Sequence, residues 1–218
     1  ATEKGDGGTV VVWSDVRNPT GSTNASGILL AKGGERGGDG GQIETSGYVL
    51  RVDGIHIDAM SLWGKGGKWL IDPFDITISA GPSSGSPTYS SSFTAASTST
   101  IEASSVAASL NQGTSVTINT GVSGSQGTDS GNISVTSSII KTTGVAATLT
   151  LQAANQIDIS AEIGNTDTTS NHLLTLVLDS GGGSGTISGQ LSGNLALTKS
   201  GFGSLLLSGS NTYTGSTT

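Results

Sequence analysis

Apolar residues in this chain come in short runs at every second position. TVVVW (9–13), GILLA (27–31), GQIET (41–45), YVLRV (48–52) and GIHIDA (54–59) open the series. KWLID (68–72), DITIS (75–79), SVTIN (115–119), NISVT (132–136), TLTLQA (148–153) and QIDIS (156–160) continue it. HLLTLVLD (172–179), GTISG (185–189), NLALTK (194–199) and GSLLLSG (203–209) complete it. Period two, with Gly, Ser or Asn at the borders, predicts strands with one face buried and one wet. No long amphipathic helix separates the runs, which excludes βαβ crossovers and a doubly wound sheet.

Two stretches break the alternation. AGPSSGSPTYSSSFTAASTST (80–100) is low in complexity, carries Pro82 and Pro87, and reads as one long excursion loop. IEASSVAASLNQG (101–113) predicts a helix of about two turns, with Ser104 as N-cap, Val106, Ala107 and Leu110 on one face, and Gly113 as the stop. Such a helix would shield a sheet edge or seat the returning chain.

An antiparallel sandwich and a parallel β-helix both fit alternating strands. The runs outnumber the seven to nine strands of a sandwich, and the strong ones recur at roughly the 15–25-residue spacing of one solenoid turn. The expected fold is therefore an all-β, right-handed parallel β-helix with one long loop and a short helix insertion. Residues 1–79 would form its first turns, 80–113 the loop and helix, and 114–218 the remaining turns of one continuous solenoid. At about 22 residues per turn, 218 residues predict on the order of ten turns and roughly 45 Å of rod. Aliphatic ladders would fill the narrow interior, with large rings at ends and in loops.

Composition narrows the partners. Charged residues make up 11% of the chain, Gly numbers 35, Cys is absent and the net charge is -7, whereas ordinary domains are about 25% charged. After Lys68 the only basic residues are Lys141 and Lys199, too few to neutralise a phosphate backbone, so nucleic acid is excluded. No apolar run reaches the length of a membrane span. The polar start, ATEKGDGG, shows no signal peptide and reads as a piece of something longer.

Three segments carry a resemblance. GGDGGQIETSGYVLRVDGIHIDA with GKGGKWLIDPFDITIS resembles the repeat region of filamentous-haemagglutinin-like large exoproteins of Gram-negative bacteria. IEASSVAASLNQGTSVTINTG and the strands after it resemble the segment that follows in those proteins. LALTKSGFGSLLLSGSNTYTGSTT is similar to an autotransporter passenger-associated repeat. The resemblance covers most of residues 37–218. It implies a right-handed parallel β-helix secreted to the bacterial cell surface through an outer-membrane translocator. A non-enzymatic role follows in adhesion, biofilm or filament building, with a host-cell, bacterial-cell or glycan receptor and end-to-end self-assembly as partners. The alternative is a β-helix enzyme that binds or cleaves polysaccharide.

Candidate chemistry is sparse. His56 and Asp58 lie two apart and so face the same way, beside Arg51 and Asp53 of the preceding run. They form a weak candidate surface site, read as a solvated polar face in preference to an acid–base or metal pair. His172 reads as structural. GGDGGQ (37–42) approaches a calcium-binding nonapeptide, but Gln42 stands where the ligand Asp belongs, so Asp39 reads as a turn residue. In WLIDPFDITI, Pro73 is expected to force a corner, with Asp72 and Asp75 satisfying turn amides. The aromatics Trp13, Tyr48, Trp63 and Trp69 of the first third read as plugs at an end of the β-helix in preference to a sugar-stacking surface. No catalytic residue, cofactor or metal is expected.

Overall fold

A computed structural model describes residues 2–18, 20–52, 54–73, 75–80, 98–121 and 131–218. The first turn holds β1 (Thr9–Trp13), β2 (Ser22–Asn24) and β3 (Gly27–Leu30). The second holds β4 (Gln42–Ser46), β5 (Val49–Arg51) and β6 (Ile55–Asp58). The third runs through β7 (Lys68–Asp72), β8 (Asp75–Ser79), β9 (Thr98–Glu102) and the helix α1 (Ala103–Asn111). Next come β10 (Ser115–Asn119), β11 (Ile133–Val135) and β12 (Ile139–Lys141), then β13 (Ala147–Ala153), β14 (Ile157–Ile159) and β15 (Ile163–Asn165). The last two turns are β16 (Leu174–Ser180), β17 (Gly185–Ile187) and β18 (Leu191–Gly193), then β19 (Leu195–Ser200), β20 (Leu205–Leu207) and β21 (Thr212–Tyr213).

These strands stack into three walls. The first is one seven-stranded sheet in the order β1-β4-β7-β10-β13-β16-β19. All the strand ladders are parallel. A sandwich built on hairpins would pair its neighbours antiparallel, so the architecture is the parallel β-helix. Seven rungs, at about 4.8 Å each, make a stack roughly 30 Å tall.

The expected ten turns are thus seven, because turn length varies. From Leu176 to its registered partner Leu197 is 21 residues, from Leu149 to Leu176 is 27, and from Lys68 to Ser115 is 47. Loops at the corners take up chain without adding height. The longest turn also carries an insertion. β9 pairs with β8 on the side facing β5, and the Leu50 amide donates to Ser99 Oγ at 3.3 Å. α1 packs against both β6 and β12, standing in the third wall where a strand would otherwise lie. The predicted helix is therefore present and seats the returning chain. Its cap differs from expectation: Glu102 occupies the N-cap position without a side-chain cap bond, and Ser104 lies inside the helix. Gly113, at φ +75°, follows the helix as expected. The expected loop over 80–100 lies outside the described residues except at its two ends.

Side-chain alternation builds the interior. On the first wall Ile43, Trp69, Val116, Leu149, Leu176 and Leu197 form one inward column, and Ile71, Ile118, Leu151 and Leu178 form another. Branched and Leu side chains stacked in register exclude water and fill the prism by dispersion contact. Trp69 departs from the aliphatic expectation: it is 0% exposed, with its indole N–H donating to Thr45 Oγ1 at 3.0 Å. Among the described residues no helix is long and apolar enough to cross a membrane.

Candidate binding surface

Of the four candidate residues the structure describes His56, Asp58 and Arg51. His56 is exposed on β6, but Asp58, two residues on, is only 8% exposed. Asp58 is thus shielded where a solvated face was expected. Asp58 Oδ1 accepts the Met60 amide at 3.0 Å, while Oδ2 lies 3.4 Å from Lys32 Nζ. Both oxygens are thereby engaged in turning the chain and holding a lysine from the preceding turn. Arg51 sits half-buried at the end of β5, paired in register with Asn24. Asp53 lies outside the described residues.

Lys32 leads to a groove that sequence reasoning missed. At the corner after β3 and β6, a hollow of about 540 Å³ is lined by Thr2, Lys32, Gly33, Glu35, Met60 and Leu62. Trp63 lies outside this lining, 75% exposed, and is tied to it through its indole N–H, which donates to the Glu35 carbonyl at 2.8 Å. Ser61 Oγ accepts the amides of Trp63 and Gly64 and donates to the Gly38 carbonyl, which fixes the loop onto the turn below it. Asp39 belongs to this same stack as a turn residue, its Oδ1 accepting the Lys65 amide and its own amide donating to Asp6 Oδ1, each at 2.8 Å.

A second polar site lies on the outside of the first wall. Glu44 accepts from Ser46 Oγ at 2.9 Å, and Asp72 sits diagonally across on the next rung. Burial, reinforced by the Glu44 charge, raises the Asp72 pKa from 3.8 to about 6. Among the described residues no hydrogen bond reaches its carboxylate, so the expected turn-capping role belongs to Asp75 alone, whose Oδ1 accepts the Asn132 amide at 2.6 Å. A groove of about 220 Å³ adjoins the pair, lined by residues that include Glu44, Lys68 and Leu70.

The sign of the Asp72 effect follows from linkage. A carboxyl that binds its proton more tightly when folded stabilises the fold below pH 3.8, and that contribution is lost as pH rises to about 6. Its partial exposure screens the cost to about 1 kcal/mol. Asp72→Asn should therefore raise the denaturation midpoint at pH 7, leave it nearly unchanged at pH 3.5, and flatten the slope between. Chemical denaturation across pH 3.5–7 checks this, and a variant whose slope matches wild type refutes it.

A third cluster is internal. Lys141, fully buried, donates from Nζ to the carbonyls of Thr143 and Gly144 at 2.6 and 2.7 Å. Burial pushes its pKa down, and the Asp167 charge partly offsets that. Asn165, its registered neighbour, donates to the His172 and Asn194 carbonyls at 2.8 Å each. His172 Nδ1 lies 2.7 Å from Asp167 Oδ2. That contact, with the amide and hydroxyl of Thr169, holds the Asp167 carboxyl well below the usual carboxylate range. His172 thus ties down the 166–173 loop, the structural role expected of it. Among the described residues no three His, Asp or Glu side chains gather as a metal shell would require.

Comparison with known proteins adds no relative. No family model and no curated protein matches this chain.

Proposed function

We propose that this chain is a non-enzymatic, rigid stretch of an exported bacterial surface adhesin or filament-forming exoprotein. The carrying observation is the uninterrupted seven-rung parallel sheet, whose inward column from Ile43 to Leu197 is apolar throughout. Stacked rungs resist bending because each is hydrogen-bonded along its length to the next. A stiff spine that presents corner loops suits a stalk that holds binding surfaces away from a cell. The exoprotein-like motifs at WLIDPFDITI and TKSGFGSLLLSGSNTYTG support the same reading. Export would use an outer-membrane translocator. Antibodies raised against the purified chain should label the outer surface of intact producing bacteria, and adding the soluble chain should reduce their attachment. Labelling only after lysis would overturn the surface role.

A second reading, cleavage of polysaccharide, is favoured by one observation only: the carboxyl pair Glu44 and Asp72, one raised to about 6, beside a groove. A carboxyl raised toward neutrality can serve as the acid beside a second carboxyl acting as base or nucleophile. Release of reducing ends from neutral or acidic polysaccharide, lost in both Glu44→Gln and Asp72→Asn, would establish it. No release by wild type would retire it.

A further inference from the structure

The corner groove of the first two turns has the composition of a sugar site. Trp63 is a large ring left 75% exposed, whereas Trp69 is wholly buried. An exposed indole usually drifts among rotamers. Here the bond from its N–H to the Glu35 carbonyl at 2.8 Å fixes the ring, so little rotamer freedom remains to be lost on binding. In the adjoining hollow the apolar lining is Met60 and Leu62, while Lys32 and Glu35 bring side chains of opposite charge. Lys32 is itself held in place by Asp58.

A ligand for this surface needs an apolar face for the ring and floor, and hydroxyls around its edge for the carboxylate and ammonium. Pyranose sugars have that shape: axial C–H groups on one face and equatorial hydroxyls at the rim. Because Lys32 is already paired with Asp58, the Glu35 charge leaves these three groups net negative, which favours neutral over acidic sugars. A hollow of about 540 Å³ accommodates two to three residues. We propose that a neutral pyranose oligosaccharide lies along this corner, one residue stacked on Trp63 and the rest in the adjoining hollow, with Glu35 and Lys32 reading its hydroxyls. The assignment deepens the adhesin reading and rests on it for biological context.

The test uses the whole chain with named probes: triacetylchitotriose, maltotriose and mannotriose, with a heparin-derived tetrasaccharide as the acidic comparison. Saturation-transfer NMR and calorimetry should show saturable binding of at least one neutral probe and none of the acidic one. Trp63→Ala should weaken it about tenfold or more, while Trp63→Phe stays within about threefold of wild type. Trp13→Ala, which removes the other exposed indole at 62% exposure, should leave affinity unchanged. Because Trp63 is exposed, the melting transition of Trp63→Ala should match wild type, which separates lost binding from lost fold. No binding of any neutral probe, preferred binding of the acidic one, or binding lost with Trp13 and not with Trp63 would overturn the assignment. Such a result leaves surface labelling of intact cells untouched, and failure of that labelling leaves the sugar titration untouched.

Discussion

Replacing Trp69 by Ala is expected to cost about 4 kcal/mol, among the largest effects any side-chain truncation in this chain should produce. The indole is wholly buried in the inward column of the first wall, between Ile43 on one rung and Val116 on the next. Its removal leaves a cavity that neighbouring rungs cannot close, because their backbones are fixed by ladder hydrogen bonds above and below. The loss has a second component. Thr45 Oγ1, also buried, accepts the indole N–H at 3.0 Å and would be left without that partner. Trp69→Phe keeps most of the volume and isolates this polar component, at about 1–2 kcal/mol. Adding Thr45→Val to Trp69→Phe should recover part of it, since both polar atoms are then gone. Denaturant midpoints measure all three. Acrylamide should quench Trp63 and Trp13 freely and Trp69 hardly at all. A Trp69→Ala midpoint equal to wild type would refute the interior placement.

That placement was open to reading from the residues. Trp69 and Ile71 share parity in KWLID, while Lys68, Leu70 and Asp72 share the other, so alternation alone puts the ring inside. The general expectation that rings sit at ends and in loops obscured it. The parallel stack itself was legible because TLTLQA, LTLVLD and LALTK repeat one pattern, and Leu149, Leu176 and Leu197 do fall in register. Turn count was not legible. A spacing of 21 to 47 residues between partners depends on how corner loops fold, and the third turn hides an added strand and helix that no average period reveals.

The candidate site shows the same division. That His56 and Asp58 share parity is a local fact, visible in GIHIDA. That Asp58 is buried depends on Lys32, which arrives from the turn below, and on α1, which packs against β6 from above. Contacts between turns of unequal length leave no signature in a single sequence. The bond between Trp63 and the Glu35 carbonyl spans 28 residues and belongs to that class. What the residues do signal is the corner itself, through its glycines.

Gly67→Ala should break that corner, at about 3 kcal/mol. Glycines precede β1, β4 and β7 at positions 7–8, 40–41 and 66–67, where the chain turns from the third wall into the first. The turns approach so closely there that Gly41 and Gly67 donate to the carbonyls of Ala31 and Ala59 at 2.7 Å each, while the Lys68 amide reaches the Gly41 carbonyl at 3.0 Å. A Cβ on Gly67 would lie 2.1 Å from that same Gly41 oxygen and 2.8 Å from Ala59. Neither backbone group can retreat without giving up a ladder bond, so the strain spreads into the rungs on either side. Gly182→Ala supplies the contrast: its Cβ meets nothing within 4 Å, and losing glycine's freedom in the unfolded chain should stabilise by about 0.5 kcal/mol. The two substitutions add the same methyl group, so opposite shifts of the denaturation midpoint would locate the effect in the corner contacts. Equal shifts would mean that the first turns do not pack at this distance.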